Sequence, residues 1–377
     1  MSAALHLVSG KLTDSVAHGF LPAATALGLD VTVLTDHPDA HAEVFDGAVV
    51  RCDVTDFREI IAAGRPDAVF TNSDFLQAPA ALAAAYLGLP GKDWRAAVRA
   101  KNKHETRRAL AALDPVFTAP ADRVPPEAPY PLVLKPREGV AGEDVVLVAD
   151  AAELAERRAR IGPGRPLIVE EYLPGDLHTL ETLGDGHELR VLGSFRTRLS
   201  APPHFVEERL EWAPPPPETP QVLAQLDALG VGFGACHTEF VVHEGRARII
   251  EVNYRLIGDH CDFLLADLLG VPLFAWILRV HLGERLPAAA PRRDRHAVAD
   301  WVLAERAGTL TSAPDAADLL DDGVALTYRP LRPVGAHAPL TRTNRDYLGT
   351  IRAIGPSRDA VEDAVTRFRA AHTWTIA

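Results

Sequence analysis

Residues 236–260 read CHTEFVVHEGRARIIEVNYRLIGDH, and this stretch decides the fold. Two apolar runs rich in β-branched residues flank a turn at 243–245, which predicts a β-hairpin. Side chains repeat with a period of two along a strand, so Glu251, Asn253 and Arg255 are expected to share one face of the second strand. We therefore expect a cluster of polar side chains on one side of this hairpin.

The polar face of the hairpin has the composition of a magnesium site. Glu239 on the first strand and Glu251 on the second supply carboxylates, and Asn253 supplies an amide, all hard oxygen ligands that suit Mg²⁺ together with nucleotide phosphates. Arg255 can hold a carboxylate or a transferring phosphoryl group. The alternative is a solvated sheet face with a surface ion pair. The apolar runs EFVV and RII favour a buried strand, in which unpaired acids are costly, and so favour the metal site.

Two blocks upstream of the hairpin contain candidates for nucleotide binding. Residues 130–148, YPLVLKPREGVAGEDVVLV, predict a strand that ends in Lys135 and a loop whose Gly139 and Gly142 allow close approach to phosphates. No GK[ST] follows these glycines, so the loop is not of the Walker type. Residues 165–183, RPLIVEEYLPGDLHTLETL, predict a strand whose following main chain can hydrogen-bond an adenine edge. Taken alone, each block also fits an ordinary hairpin or turn.

The first 74 residues alternate short apolar strands with helices, which is the pattern of a small parallel α/β sheet. The strand segments are AALHLVS, LDVTVLTD, AVVRCDV and PDAVFTNSD. No GxGxxG follows the first strand, which argues against a dinucleotide site. Polar residues follow the predicted strands and either line a ligand edge or cap helices and turns: Ser9, Thr35, Asp36, Asn72, Ser73 and Asp74.

The rest of the chain contains helices and proline-rich connections. Residues 95–113 predict one helix with its charges on one face, and proline-rich stretches follow at 115–131 and 213–220. Residues 287–295, PAAAPRRDR, predict a linker to a final segment. That segment, 296–377, contains the strand-like runs VADWVL and VALTYRP and ends in an amphipathic helix.

Composition limits the classes of function. The 377 residues include 39 Lys and Arg and 51 Asp and Glu, a formal net charge of −12, whereas general nucleic-acid binding needs a basic face. No apolar run predicts a membrane span, and no signal peptide is predicted. Cys52, Cys236 and Cys261 have no zinc or disulfide spacing, so we expect free thiols and a cytoplasmic location. Lysine is scarce, which makes each of its positions more informative: Lys11, Lys92, Lys101, Lys103 and Lys135.

The three blocks, in this order, resemble the ATP-grasp superfamily over about residues 95–285. The specific part is the run Glu251-Val252-Asn253-Tyr254-Arg255, and Glu239 stands where the family has its other metal carboxylate. The resemblance implies an α/β chain with the ATP-grasp fold, in which an N-terminal Rossmann-like parallel α/β domain precedes two α+β subdomains that grip ATP. The implied divisions are 1–94, 95–286 with a boundary between lobes near 173–180, and a C-terminal segment or subdomain over 287–377.

The resemblance also assigns residues to the nucleotide. The run NKHETR, 102–107, resembles a helix start whose Lys103 binds ATP, with Lys101 as the alternative. Asp176 is assigned to the ribose, because Leu177 stands where the family commonly has a glutamate. The implied ATP-binding set is Lys103, Lys135, Gly139, Gly142, Glu170, Glu171, Tyr172, Leu173 and Asp176.

For the chemistry, the resemblance implies Mg²⁺, which Mn²⁺ can replace, on Glu239, Glu251 and Asn253. Glu251, Asn253 and Arg255 are then the catalytic residues, and Arg255 holds the acyl carboxylate or stabilises an acylphosphate. The residues assigned to the acceptor substrate are Arg190, Arg196, Arg255 and His260.

The implied reaction is phosphorylation of a carboxylate by ATP and attack of an amine on the acylphosphate, with release of ADP and phosphate. Water must be excluded, and the segments 137–144 and 200–220 are candidate lids. The segment LIGDHCDFLLADLLGVPL resembles ligases of siderophore and peptide natural-product pathways, which favours an amino-acid substrate. The alternatives are a bicarbonate-activating enzyme similar to biotin carboxylase and a non-catalytic ATP-binding protein. The expected partners are small molecules, with no nucleic acid or membrane, and a homodimer is compatible with the resemblance.

Overall fold

The N-terminal part of the chain forms a four-stranded parallel sheet. A computed structural model of the protein describes residues 2–288 and 294–377. The sheet has the spatial order β3-β2-β1-β4 and contains β1 (Ala4–Val8), β2 (Asp30–Thr35), β3 (Ala48–Arg51) and β4 (Ala68–Phe70). Helical segments connect and follow these strands: a π-helical segment (Ser15–Phe20), α1 (Leu21–Ala26), α2 (Pro38–Ala42), α3 (Phe57–Ala62) and α4 (Gln77–Leu87). The predicted parallel α/β architecture is confirmed.

The prediction of one helix over 95–113 is wrong, because two helices occupy this stretch. These are α5 (Trp94–Lys101) and α6 (Lys103–Leu110). Between them Asn102 has an extended backbone, and its side chain accepts a hydrogen bond from the Glu105 amide at 3.3 Å. Asparagine is a preferred N-cap, since its side chain replaces a missing helical acceptor. The break at Asn102 therefore places Lys103 in the first turn of α6.

A small antiparallel sheet follows, with the order β5-β8-β6-β7. Its strands are β5 (Thr118–Pro120), β6 (Leu132–Pro136), β7 (Val146–Val148) and β8 (Leu167–Glu171), and α7 (Ala151–Ile161) connects β7 to β8. Leu132, Leu134 and Val169 are fully buried in its core. Residues 137–145, between β6 and β7, are called the glycine loop below.

The largest sheet has nine strands, and neighbouring strands in it pair antiparallel. Its order is β13-β12-β9-β10-β11-β14-β19-β17-β16, from β9 (Asp176–Asp185), β10 (Leu189–Leu199), β11 (Glu207–Ala213), β12 (Phe233–His243), β13 (Arg246–Asn253), β14 (His296–Leu303), β16 (Ala317–Asp321), β17 (Val324–Pro330) and β19 (Tyr347–Gly355). The predicted hairpin over 236–260 is β12 and β13. Because β11 pairs with β14, strands after residue 295 continue the sheet that begins at residue 176.

The remaining elements cover the large sheet. They are α8 (Thr219–Leu229), α9 (Cys261–Leu269), α10 (Leu273–His281), α11 (Arg358–Ala371), and a three-stranded sheet of β15 (Gly308–Ser312), β18 (His337–Ala338) and β20 (Thr375–Ile376). The predicted linker over 287–295 lies largely outside the described residues. Within the described residues, no single helix has the length and apolar character to cross a membrane; α9 and α10 meet those criteria only as a pair, bent by 99°.

Candidate active site

The register of the hairpin brings the predicted polar residues together. Glu239 on β12 lies directly opposite Glu251 on β13, and His237 lies opposite Asn253. Directly opposed residues of an antiparallel pair have side chains on the same face. The Asn253 Nδ2 donates a hydrogen bond to Glu239 Oε1 at 3.3 Å. The clustering of Glu239, Glu251 and Asn253 predicted from the alternation is therefore present in the structure.

A β-bulge in β13 adds an apolar residue to this face. The pairing shifts between Glu239 and Phe240, so that Ile250 has no partner of its own on β12. A bulge places two residues of one strand opposite one residue of the other, which interrupts the alternation. Both Ile250 and Glu251 consequently line the same cavity, while Ile249 packs in the core behind the sheet.

The cavity has a volume of about 410 Å³ and is lined by both antiparallel sheets. Val133 of the small sheet and Leu177 and Val241 of the large sheet supply apolar wall. The glycine loop contributes residues 140–142 and Val145. A cavity of this size, with apolar walls and a few convergent charged groups, is the usual form of a small-molecule site.

Lys103 reaches into the cavity from the first turn of α6. Its Nζ lies 2.7 Å from Glu251 Oε1, and its side chain is 8% exposed. Although burial lowers the pKa of Lys103, the charge of Glu251 raises it above the ordinary value. Lys101, the alternative, does not line the cavity but donates to the carbonyl oxygen of Gly139 and pairs with Asp74.

Lys135 lies at the end of β6, in a buried charge cluster. Its Nζ is 2.6 Å from Glu170 Oε2, which also accepts a hydrogen bond from Arg107 Nη2 at 2.9 Å. Burial alone would raise the pKa of Glu170, and the charges of Arg107 and Lys135 instead lower it to about 2. Burial in turn lowers the pKa of Lys135, although Glu170 opposes this effect. Glu170 thus serves to balance two cations, and Lys135 and Glu170 both line the cavity.

The segment after β8 forms another wall of the cavity. Glu171, Tyr172 and Leu173, which were assigned to the adenine, all line it. The Glu171 side chain accepts a hydrogen bond from the Phe117 amide at 3.2 Å. The ring of Phe205, from the predicted second lid over 200–220, lies 6.4 Å from the ring of Tyr172. Aromatic and apolar surface therefore surrounds this end of the cavity.

The other end of the cavity is rich in carboxylates. His237 Nδ1 lies 2.8 Å from Glu181 Oε1, and its Nε2 lies 3.6 Å from Glu239 Oε1. Glu207 Oε1 accepts a hydrogen bond from Asn344 Nδ2 at 3.1 Å. Burial, followed by the charges of Glu239 and Asp259, raises the pKa of Glu207 to about 8. Among the described residues, no Lys, Arg or His forms an ion pair with Glu207, although the charge of His237 partly opposes the rise in its pKa.

Arg255 lines the same cavity, on the segment that follows β13. Its Nη1 donates to the carbonyl oxygen of Leu256 at 2.9 Å, and its Nε lies 3.8 Å from Asp74 Oδ1. The hairpin, the two lysines and this arginine therefore meet in one cavity, as the sequence predicted.

Several residues that were predicted to bind ligands do not line the cavity. Asp176 does not line the cavity because Leu177 does, and neighbouring side chains on a strand point to opposite faces. Asp176 instead pairs with Arg196 at 2.6 Å on the surface, where both side chains are more than half exposed. The ribose and substrate assignments of these two residues are therefore not supported by their positions.

The same holds for three further predicted residues. Arg190 pairs with Glu188 at 2.9 Å and donates to the carbonyl oxygen of Pro287, away from the cavity. The His260 ring faces Asp14, with Nε2 at 2.9 Å from its carboxylate, although the residues on either side of His260 line the cavity. Gly139 accepts a hydrogen bond from Lys101 through its carbonyl oxygen and does not line the cavity, whereas Gly142 does.

Some cavity residues were missed by sequence reasoning. His237 precedes Glu239 by two positions, so the alternation that selected Glu239 could also have found it. Trp301, Asn344 and Arg345 come from the C-terminal segment, and they carry no local motif that indicates a site. Arg345 pairs with Glu143, and the Asn344 amide donates to the carbonyl oxygen of Ala141 at 3.0 Å, so this segment closes over the glycine loop.

The oxygen ligands available in the cavity can be compared with those that the implied Mg²⁺ ion requires. Within residues 2–288 and 294–377 no group of three or more His, Cys, Asp or Glu side chains is arranged to hold a metal ion. Glu239 and Glu251 are only two carboxylates, with the Asn253 amide beside them. Mg²⁺ is usually held by one or two carboxylates and completes its octahedron with phosphate oxygens and water, so the residues fit Mg²⁺ bound together with a nucleotide.

Part of the chain matches the model of a known family. A family model described as an ATP-grasp domain matches residues 100–204. A protein of Sinorhizobium fredii strain NGR234, named "Uncharacterized protein y4rH", is 31% identical over 319 residues. These residues make up 76% of this chain and 64% of that relative, so the chain spans less than two thirds of the relative's length.

Two solved structures share the fold over the whole chain. The L-amino acid ligase from Bacillus licheniformis has a TM-score of 0.80 at 21% identity, and the alignment covers 100% of this chain and 99% of that one. The phosphoribosylglycinamide synthetase from Anaerococcus prevotii has a TM-score of 0.75 at 14% identity, with 100% of both chains covered. Residues 100–204 therefore match an ATP-grasp domain, and the chain shares the fold of these two structures along its length.

Proposed function

We propose that the protein is an ATP-dependent ligase that phosphorylates a carboxylate and joins the acylphosphate to an amine, releasing ADP and phosphate. The observation that carries the proposal is the convergence of Lys103, Lys135, Arg255 and the carboxylate pair of Glu239 and Glu251 on one cavity. No covalent nucleophile is needed for this chemistry, which depends on positioning and on cations that balance the phosphoryl charge.

Each cation has a distinct task in the proposed reaction. Lys135 is held by Glu170 near the Tyr172 wall, where we assign the adenine, and it contacts the nucleotide phosphates. Lys103 lies beside Glu251 and balances charge at the transferring phosphoryl group. Arg255 holds the acyl carboxylate and then the acylphosphate. The γ-phosphoryl group passes to a carboxylate oxygen, the P–O bond to ADP breaks, and the amine later displaces phosphate from the acyl carbon.

Magnesium belongs to the same proposal. Glu239, Glu251 and Asn253 would hold Mg²⁺, which supplies Lewis-acid neutralisation of the phosphates. Lys103 must then share Glu251 with the ion, since its Nζ already lies 2.7 Å from that carboxylate. Replacement of Mg²⁺ by Mn²⁺ is part of the proposal, because Mn²⁺ also takes carboxylate and carbonyl ligands.

An amino acid is proposed as the amine substrate. Glu207 and Asp259 line the cavity together with Arg255, and Glu207 forms no ion pair with Lys, Arg or His among the described residues. An ammonium group would supply such a partner and favour the ionised form of this carboxyl. The structural likeness to a protein described as an L-amino acid ligase supports the same assignment. We extend the proposal to a place in siderophore or peptide natural-product biosynthesis and to a homodimer.

Nucleotide product analysis tests the proposed reaction. The protein is incubated with Mg·ATP and pooled carboxylic acids, with and without pooled amino acids and amines, and ATP, ADP and AMP are separated. ADP formation that needs an acid, together with a hydroxamate when hydroxylamine replaces the amine, is the expected result. AMP and pyrophosphate would refute the acylphosphate route, and ADP formation with bicarbonate alone would identify the carboxylase alternative. ATP binding without turnover under every pool would support the non-catalytic alternative.

A further inference from the structure

The segment that carries Arg255 is held from outside its own sheet. The Leu256 amide donates a hydrogen bond to Asn72 Oδ1 at 3.1 Å, and the Arg255 Nε lies 3.8 Å from Asp74 Oδ1. The carbonyl oxygen of Tyr254 accepts a hydrogen bond from Lys92 Nζ. Three consecutive residues are therefore each held by a polar side chain from the N-terminal part of the chain.

Lys92 is a buried lysine that joins two parts of the chain. Its Nζ donates to Gln77 Oε1 at 2.7 Å and lies 4.3 Å above the ring centre of Tyr254. Gln77 Nε2 donates to the carbonyl oxygens of Thr71 at 3.1 Å and Ser73 at 2.9 Å. Lys92 thus connects the loop after β4 to the backbone beside Arg255. A Cβ at Gly234 would lie 2.8 Å from Lys92 Cε, so the glycine leaves room for the Lys92 side chain.

Asp74 connects Arg255 to the glycine loop. Lys101 pairs with the Asp74 carboxylate and also donates to the carbonyl oxygen of Gly139 at 3.0 Å. The Asp74 side chain is only 9% exposed. Burial would raise the pKa of Asp74, but the charges of Arg255 and Lys101 lower it below its ordinary value. One buried carboxylate therefore contacts both the cavity arginine and the lysine that holds the glycine loop.

These contacts indicate a structural role for two polar residues whose role could not be decided from the sequence. Asn72 and Asp74 follow β4, at the edge where a parallel sheet commonly binds ligands, yet neither lines the cavity. Their partners are instead the backbone and guanidinium of the segment 254–256. On the basis of the proposed function, we infer that residues 71–77, and Asp74 in particular, position Arg255 for the acylphosphate step.

The test compares Asp74→Asn with Asp67→Asn. Both changes remove one carboxylate charge and keep the side-chain shape, but Asp67 lies before β4 and accepts a hydrogen bond from the Ala4 amide at 2.8 Å. For Asp74→Asn we expect kcat for acid-dependent ADP formation to fall on the order of 10- to 100-fold, because small misplacements of a catalytic group have effects of this size. The Kd for Mg·ATP, measured by calorimetry, is expected to stay within about twofold. Asp67→Asn is expected to leave kcat within about twofold.

A double-mutant cycle separates positioning from a general loss of structure. In an Arg255→Lys background, Asp74→Asn should have little further effect on kcat, since the group that it positions is already gone. Full additivity of the two changes, or a parallel loss of ATP affinity in Asp74→Asn, would overturn the inference. If the wild-type protein shows no acid-dependent ADP formation, the proposed function fails on its own. A crystal structure of Asp74→Asn then decides the inference without turnover: an unmoved Arg255 guanidinium overturns it, and a displaced one supports it.

Discussion

At the scale of single residues, the cavity is built from charges that are balanced before any ligand binds. Lys103 is balanced by Glu251, whereas Glu170 balances both Lys135 and Arg107. Buried ions are tolerated only with such partners, and removal of one partner leaves an uncompensated charge. The two lysines that we propose bind the nucleotide phosphates are thereby held in place inside the fold.

Glu170→Gln tests this balance through stability. We expect a loss of about 3 kcal/mol in the free energy of unfolding at pH 7, because two buried cations lose their carboxylate. The folded-state pKa of Glu170 is about 2, below the unfolded value of 4.5. Its contribution is therefore fully present above about pH 4.5 and is lost as the pH falls toward 2. Urea unfolding should show that the difference in unfolding free energy between wild type and variant becomes smaller below pH 4.5.

The control for this prediction is Glu156→Gln on α7. Glu156 pairs with Arg160 at 2.5 Å, but both side chains are more than half exposed. Exposed pairs of this kind contribute at most about 1 kcal/mol, and often nothing. The low pKa of Glu170 would be contradicted if the difference in unfolding free energy between Glu170→Gln and wild type stayed constant from pH 7 to pH 3.

Glu207→Gln tests the proposed amine site. Removing the carboxylate should raise KM for the amine by about tenfold, the size expected for a lost charged hydrogen bond. Trapping of the acylphosphate by hydroxylamine, which is uncharged at neutral pH, should keep its wild-type rate. The measurement is hydroxamate and ADP formation at varied amine concentration.

Glu208→Gln is the matched control, since Glu208 is the next residue on β11 and pairs outside the cavity with Arg198 at 3.2 Å. It should leave both assays within about twofold. An equal loss in the amine and hydroxylamine assays for Glu207→Gln would place this residue in phosphoryl transfer and remove it from amine binding.

At the scale of elements, the connection between the small and the large sheet has a strict steric requirement. Gly175 lies between β8 and β9 with φ of 128°, a region that favours glycine. A Cβ there would lie 2.3 Å from the carbonyl oxygen of Val242. The wall formed by Tyr172 and Leu173 therefore depends on close contact between this turn and β12.

Gly175→Ala should destabilise the protein by about 1–3 kcal/mol and weaken ATP binding, because the turn must move away from β12. Gly164→Ala is the control, since a Cβ at Gly164 meets no atom within 4 Å and its φ is not positive. The control should be neutral or slightly stabilising. Chemical unfolding and calorimetric ATP titration measure both effects, and equal behaviour of the two variants would contradict the steric argument.

The elements also show what the sequence could predict. Alternation along β12 and β13 correctly predicted the hairpin and the shared face of Glu239, Glu251 and Asn253. It could not predict Ile250 in the cavity, because a bulge changes the alternation without a residue signature. Asparagine is a common N-cap residue, so Asn102 could have indicated a helix start. The helical spacing of charges on both sides of it instead predicted one continuous helix. The chemical roles of these residues remain predictions.

At the scale of the whole molecule, the C-terminal segment completes the site. Its strands were predicted from local pattern, but their pairing with β11 depends on contacts far apart in sequence, which local periodicity does not encode. This pairing brings Trp301, Asn344 and Arg345 to the cavity. Other contacts between residues far apart in sequence bury Lys92, Lys103 and Lys135.

Lysine reactivity therefore gives a test of the whole fold. Lys11 is exposed, whereas Lys92, Lys103 and Lys135 are buried. Burial lowers the pKa of Lys92 to about 7, which would make it the most nucleophilic of the lysines if reagent could reach it. Brief acetylation followed by peptide mass analysis should label Lys11 first and the three buried lysines at least about tenfold more slowly.

Urea supplies the internal control for this experiment, because unfolding should make all five lysines react at similar rates. Mg·ATP should further protect Lys103 and Lys135, which line the cavity, and should leave the slow rate at Lys92 unchanged, since Lys92 lies outside it. Rapid labelling of Lys92 in the folded protein would show that the contact between Lys92 and Tyr254 opens in solution. Equal protection of all three buried lysines by ATP would instead indicate a global change in stability, as expected for any ligand that binds only the folded state.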